Sequence, residues 1–168
     1  MTRGEIWVGI GVNFIQHFDE GKGIMPLAQL ENILNLFRGT ELDEEGKRQL
    51  VREALLMALS RATNADTNIS GIEIATVQRI IKDRTGDDVS EKDIRVAAIS
   101  DLYKEATLER YLSKVRGKIG PDDCKMIVGA LAEVIKIDGK ISPFEVEFFN
   151  SVASALGLSH ADCAGLIE

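Results

Sequence analysis

Cysteine, proline and aromatic side chains are scarce in this 168-residue chain, and each scarcity removes a class of protein. The 2 cysteines, Cys124 and Cys163, lie far apart with no partner pattern, so neither a disulfide scaffold nor a zinc cluster is encoded. With 3 Pro, 15 Gly and 5% aromatic residues, a sandwich of aromatic-rich strands is disfavoured. The longest apolar run, Ile6 to Val12, is too short to cross a bilayer and has no small-residue cleavage site after it. No integral membrane segment and a cytoplasmic address are therefore expected. Positive charge is short as well. The 20 Lys and Arg against 27 Asp and Glu leave −7 at pH 7, which argues against nucleic acid as a partner. What remains is an ordinary globular composition, 45% hydrophobic and 28% charged, at a length that suits one compact domain with a real core.

What the chain does have is internal repetition. Asp66-Thr67-Asn68-Ile69-Ser70-Gly71-Ile72-Glu73 recurs 72 residues later as Asp138-Gly139-Lys140-Ile141-Ser142-Pro143-Phe144-Glu145, both reading D-x-x-I-S-x-x-E. An ungapped comparison of Ala54–Asp83 with Met126–Ala155 finds six identities, four of them inside this motif. Ala58 and Leu59 match Ala130 and Leu131, while Val77 and Ile80 face Phe149 and Val152 as apolar equivalents. A third, worn copy opens the chain: Val8-Gly9 parallels Val128-Gly129, and Asp19 to Pro26 parallels Asp138 to Pro143 with two insertions. There Ala28 replaces the glutamate, so the acidic pair is broken.

The periodicity is helical. Ile127, Leu131, Val134 and Ile135 form one apolar stripe of a helix beginning at Met126, and Phe144, Phe148, Phe149, Val152 and Leu156 form another. Between them Asp-Gly-Lys is a turn, and Ser142-Pro143-Phe144-Glu145 predicts an N-cap, a proline at the first helical position and a capping box. Ser70 to Glu73, Ser90 to Asp93 and Ser159 to Asp162 repeat that start signal, while Gly86 and Gly157 suit left-handed helix ends. Asp43-Glu44-Glu45 opens a helix running to about Thr63, and Pro26 opens another carrying Leu27, Leu30, Ile33, Leu34 and Phe37. Ile6 to Val12 would suit a strand by propensity, but its likeness to the Met126 helix favours a helix. The fold class expected is all-α, a compact domain of two repeated helix-turn-helix units. N-terminal helices occupy 1–50, a first copy 51–100, a connecting helix 101–122 and a second copy 123–168. The connector has the stripe Leu108, Leu112, Val115 and Ile119. It also holds the only basic surface expected, Lys104, Arg110, Lys114 and Lys118.

The acidic motif carries the candidate chemistry. Set against an EF-hand loop, Asp138 falls at position 5, Gly139 at 6, Ile141 at 8, Ser142 at 9 and Glu145 at 12. Positions 1 and 3 are Val134 and Lys136, or Ala62 and Asn64 in the other copy, so each copy is half a calcium site. If the copies pack about a pseudo-twofold axis, Asp66, Glu73, Asp138 and Glu145 converge, and a divalent cation (Ca, Mg or Zn) would relieve their repulsion. The competing reading needs no ion. Asp-Gly is a common turn and Ser-x-x-Glu a common cap, and the charged faces would then serve a protein partner as a metal-free interaction scaffold. Gly9-Ile10-Gly11 lacks the third glycine of a dinucleotide loop, since Phe14 stands there, and His17 and His160 share no ligand spacing. No set of acid, base and nucleophile is apparent, so no enzyme is expected.

The run Ala130 to Glu145, with Ala155-Leu156-Gly157-Leu158-Ser159 after it, resembles the TerB-like family associated with tellurite resistance. That family's phrase is an Ala-rich helix, A-D-G-x-I-x-x-x-E, then a helix ending in L-G-L-S; here Ile137 stands where Ala is usual. The likeness is good over 126–168, fair over 54–98 and poor before residue 50. It implies an all-helical fold of related halves, a non-enzymatic role of a bacterial stress-response type, and Asp138, Glu145, Asp66 and Glu73 as candidate metal ligands. Thr67 departs from the turn glycine, which puts the 66/73 pair in more doubt than the 138/145 pair.

Overall fold

The computed structural model describes residues 41–63, 71–99, 107–137, 139–164 and 166. The readings placed on residues 1–40, including the worn repeat, Trp7 and the Pro26 helix, lie outside them, as do Asp66, Ser70, Lys104 and Asp138. Among the described residues every regular element is a helix: α1 (Glu44–Ala62), α2 (Gly71–Thr85), α3 (Glu91–Ile99), α4 (Leu108–Arg116), α5 (Pro121–Ile135), α6 (Pro143–Ala155) and α7 (His160–Cys163). The all-α class is as expected. None of these helices is long and apolar enough to cross a membrane.

Local chemistry sets most helix ends. Asp43 stands just outside α1 as its N-cap, accepting from the Gly46 amide at 2.7 Å, and leaves Glu44 and Glu45 to face the positive end of the helix dipole. Ser142 caps α6 reciprocally: the Glu145 amide donates to Ser142 Oγ at 3.2 Å and the Ser142 amide to Glu145 Oε2 at 2.6 Å, with Pro143 at the first helical position. Ser90 with Asp93 and Ser159 with Asp162 close the same kind of box. At the far end of α6 Gly157 takes φ +75°. There the Leu158 amide reaches Ala153 O and the Gly157 amide reaches Ser154 O, both at 2.9 Å, the paired bonds of a Schellman ending.

Two boundaries differ from the periodicity. α5 starts at Pro121, ahead of Met126, because the Gly120 amide donates to Asp123 Oδ2 at 3.2 Å and proline fits the first turn. α4 stops at Arg116, so Ile119 falls beyond the helix whose stripe it was expected to extend, although it still packs partly buried against the core.

α1 is the central rod, packed against α2, α3, α4, α5 and α6. It is buried at Leu50, Val51 and every position from Glu53 to Ser60, the signature of a helix surrounded by neighbours rather than lying on a surface. α5 flanks it, with Ile127, Leu131, Val134 and Ile135 in the core as expected. α4 lays Leu108, Tyr111, Leu112 and Val115 against α1 and α6, and Ser151 Oγ ties the pair further by donating to Glu109 Oε1 at 2.8 Å. In α6, Phe149, Val152 and Leu156 are buried as expected, but Phe144 is 74% exposed. It sits in the first turn, where a helical side chain leans back toward the N-terminus, over the preceding turn and away from the core.

Candidate functional site

The helix starts at Gly71 and Pro143 keep the 72-residue spacing of the two motifs, and each follows the end of a core helix, Ala62 in α1 and Ile135 in α5. Two helix C-termini and two helix N-termini therefore meet. At their junction lies a small cavity of about 20 Å³, lined by Ala62, Thr63, Glu73, Val134, Ile135, Ile137 and Glu145. Six of these seven residues form three repeat-equivalent pairs: Ala62 with Val134, Thr63 with Ile135, and Glu73 with Glu145. The space suffices for one water molecule or one bare ion.

The walls are apolar and the polar content is acidic. Val134 and Ile135 are buried, Thr63 is buried with its hydroxyl donating to Ser60 O at 2.8 Å, and Glu73 and Glu145 are half-buried. Glu145 spends part of its acceptor capacity on the Ser142 amide. An ionised carboxylate offers about four lone-pair sites, so a cap does not exhaust it. Ala62 and Val134 occupy the positions where an EF-hand loop would place its first ligand, and they seal the cavity with methyl groups instead. Between α5 and α6 Gly139 has φ +72°, a conformation that would strain any side chain.

Of the four acidic residues singled out in the sequence, the structure brings Glu73 and Glu145 to one cavity, while Asp66 and Asp138 lie outside the described residues. Among the described residues no three His, Cys, Asp or Glu side chains gather as a metal-holding group. Cys124 is buried and Cys163 half-buried; burial pushes both thiols up from the usual range, Asp123 and Asp162 adding to it, which favours the neutral thiol. His160 is exposed at the start of α7.

Two features escaped the sequence. The connector is not the only basic surface: Lys47, Arg48, Arg52 and Arg84 line a separate cleft at the other end of α1 and α2. No linear charge count could show it, because the cations come from two helices and sit among acidic neighbours. Glu53 is buried in the core, only 4% exposed, and accepts from the Tyr111 hydroxyl at 2.8 Å. Burial pushes its carboxyl up from 4.5 to about 7, against the opposing pull of that hydrogen bond.

The fold and this junction define an all-helical module whose helix ends close over a pair of glutamates. The family model described as "Tellurite resistance protein TerB" matches residues 52–166 of the chain. The chain therefore belongs to the TerB family. Comparison with curated proteins and with solved structures gives no match.

Proposed function

We propose that this TerB-family chain is a non-enzymatic module that binds one divalent cation where its two acidic turns meet. The observation that carries the proposal is the cavity shared by Glu73 and Glu145 with their repeat-equivalent neighbours. Two carboxylates lining one small, apolar-walled space supply oxygen donors of the kind a hard divalent cation takes. The donor chemistry fits. An all-oxygen set suits a hard ion such as calcium or magnesium better than zinc, which prefers nitrogen and sulfur. Glu73 and Glu145 would be two of the ligands, with Asp66 and Asp138, seven positions earlier in each motif, as the others. Bound there, the ion would pin the C-termini of α1 and α5 to the N-termini of α2 and α6 and so stiffen one end of the bundle.

Calorimetric titration of calcium, magnesium, manganese and zinc tests this directly. We expect one ion per chain, with Glu73→Gln and Glu145→Gln each weakening affinity about tenfold or more, as loss of a charged ligand should. Ser142→Ala serves as the control, since it removes the cap but keeps both carboxylates and should leave affinity in place. Absence of heat with all four ions removes the metal reading.

A metal-free scaffold is the second reading. It rests on Phe144 and Ile137, 74% and 43% exposed, which flank the acidic turn and offer apolar surface to a protein partner. In that case the titrations stay silent.

A further inference from the structure

The basic cleft lies at the end of α1 opposite the acidic cavity. Glu44, Lys47, Arg48, Val51 and Arg52 occupy one face of α1, at the spacings that bring side chains together on a helix. Arg84 and Thr85 form a second wall from the last turn of α2, and Gly120, Asp123 and Met126 a third from the start of α5. The space between them is about 480 Å³, the size of a small-molecule site. Four cations face two carboxylates there, in a chain whose net charge is −7.

Each cation already has an ion pair, but none is a deep one. Lys47 meets Glu44 at 2.6 Å, Arg48 meets Glu45 at 3.2 Å, Arg52 meets Asp87 at 2.9 Å and Glu45 at 3.8 Å, and Arg84 reaches Glu133 only at 3.6 Å. The Lys47, Arg48 and Arg84 pairs are exposed enough to be weak and exchangeable, while Arg52 and Asp87 are both half-buried. A guanidinium carries five N–H donors in a planar fork, so three arginines keep many donors for an incoming oxyanion.

We propose that this cleft binds a small anion carrying adjacent phosphate groups. Phosphate oxygens match the arginine fork, and cations from two separate helices suit a ligand charged at more than one place. Val51 and Met126 supply apolar surface between them for the remainder of such a ligand. The proposal is independent of the cation site.

Titration with inorganic pyrophosphate, with inorganic phosphate as the single-phosphate comparison, is run without divalent ions so that the acidic cavity plays no part. The expected result is saturable pyrophosphate binding, tighter than phosphate and weakened by added salt. Arg48→Glu and Arg84→Glu, on separate helices, should each lower affinity about tenfold or more. Arg110→Glu makes the same change of net charge on the connector and should leave affinity unchanged; circular dichroism melts confirm that each variant is folded. No saturable pyrophosphate binding, phosphate binding as tight as pyrophosphate, or an equal loss in Arg110→Glu would overturn the proposal.

Discussion

α1 and α5 each precede one copy of the D-x-x-I-S-x-x-E motif, yet they live in different surroundings. Leu55 and Leu59 in α1, and Ile127 and Leu131 at the equivalent places in α5, are all fully buried. The other faces diverge. α1 packs closely against five neighbouring helices and is buried at nearly every position from Leu50 to Ser60, whereas α5 packs closely against three, α1, α2 and α6, and keeps Lys125 exposed. Lys125 is the counterpart of Glu53, which is shut in the core with one hydrogen bond from Tyr111. Ser60, with its hydroxyl buried and unpartnered, is the counterpart of the buried Ala132. A repeated apolar stripe thus guarantees one buried face; the number of neighbours decides whether the opposite face is buried too.

The comparison is most easily broken at its shared core positions. Leu59→Ala and Leu131→Ala should each cost about 3 kcal/mol, read from urea denaturation, because each empties a fully buried site. A several-fold difference between them would mean that the two stripes do not carry equivalent weight.

Glu53 is the next test. Its folded-state carboxyl holds a proton more tightly than the unfolded chain does, so stability should fall as pH rises from about 4.5 to about 7 and level off above. Glu53→Gln keeps an acceptor for Tyr111 and removes the buried charge. It should raise stability at pH 8 by on the order of 2 kcal/mol and leave it nearly unchanged near pH 4.5. A parent chain whose melting temperature ignores pH across that window would show that Glu53 is hydrated rather than sealed in.

The smallest effect is expected at Ser60. Replacing it by alanine, the residue its counterpart Ala132 already is, removes a buried hydroxyl without a partner and should stabilise by up to about 1 kcal/mol. A loss of stability on thermal unfolding would show that the hydroxyl has a hydrogen bond after all.

Much of the fold was legible because helix ends are local chemistry. Ser142 with Glu145, Ser159 with Asp162, and the left-handed Gly157 each act within about a turn of backbone. The start of α5 was just as local, but its signal lies in Gly120-Pro121-Asp122-Asp123, upstream of the apolar stripe. Phe144 was misplaced for the opposite reason: it obeys the stripe but sits in the first turn of α6, where its side chain leans back from the core. Of the four acidic residues singled out, Glu73 and Glu145 line one cavity, a meeting that depended on how the helices pack and not on the spacing within either motif.

Side-chain type and spacing alone determined an all-helical chain, the caps that start its helices and the stripes that face inward. They could do so because each depends on backbone hydrogen bonds or on residues within a turn of one another. Only the assembled bundle decided that α1 would be enclosed, that Glu53 would be stripped of water, and that Lys47, Arg48, Arg52 and Arg84 would share a cleft. Those outcomes depend on which helices become neighbours, and burial and electrostatics act between residues that the chain keeps far apart.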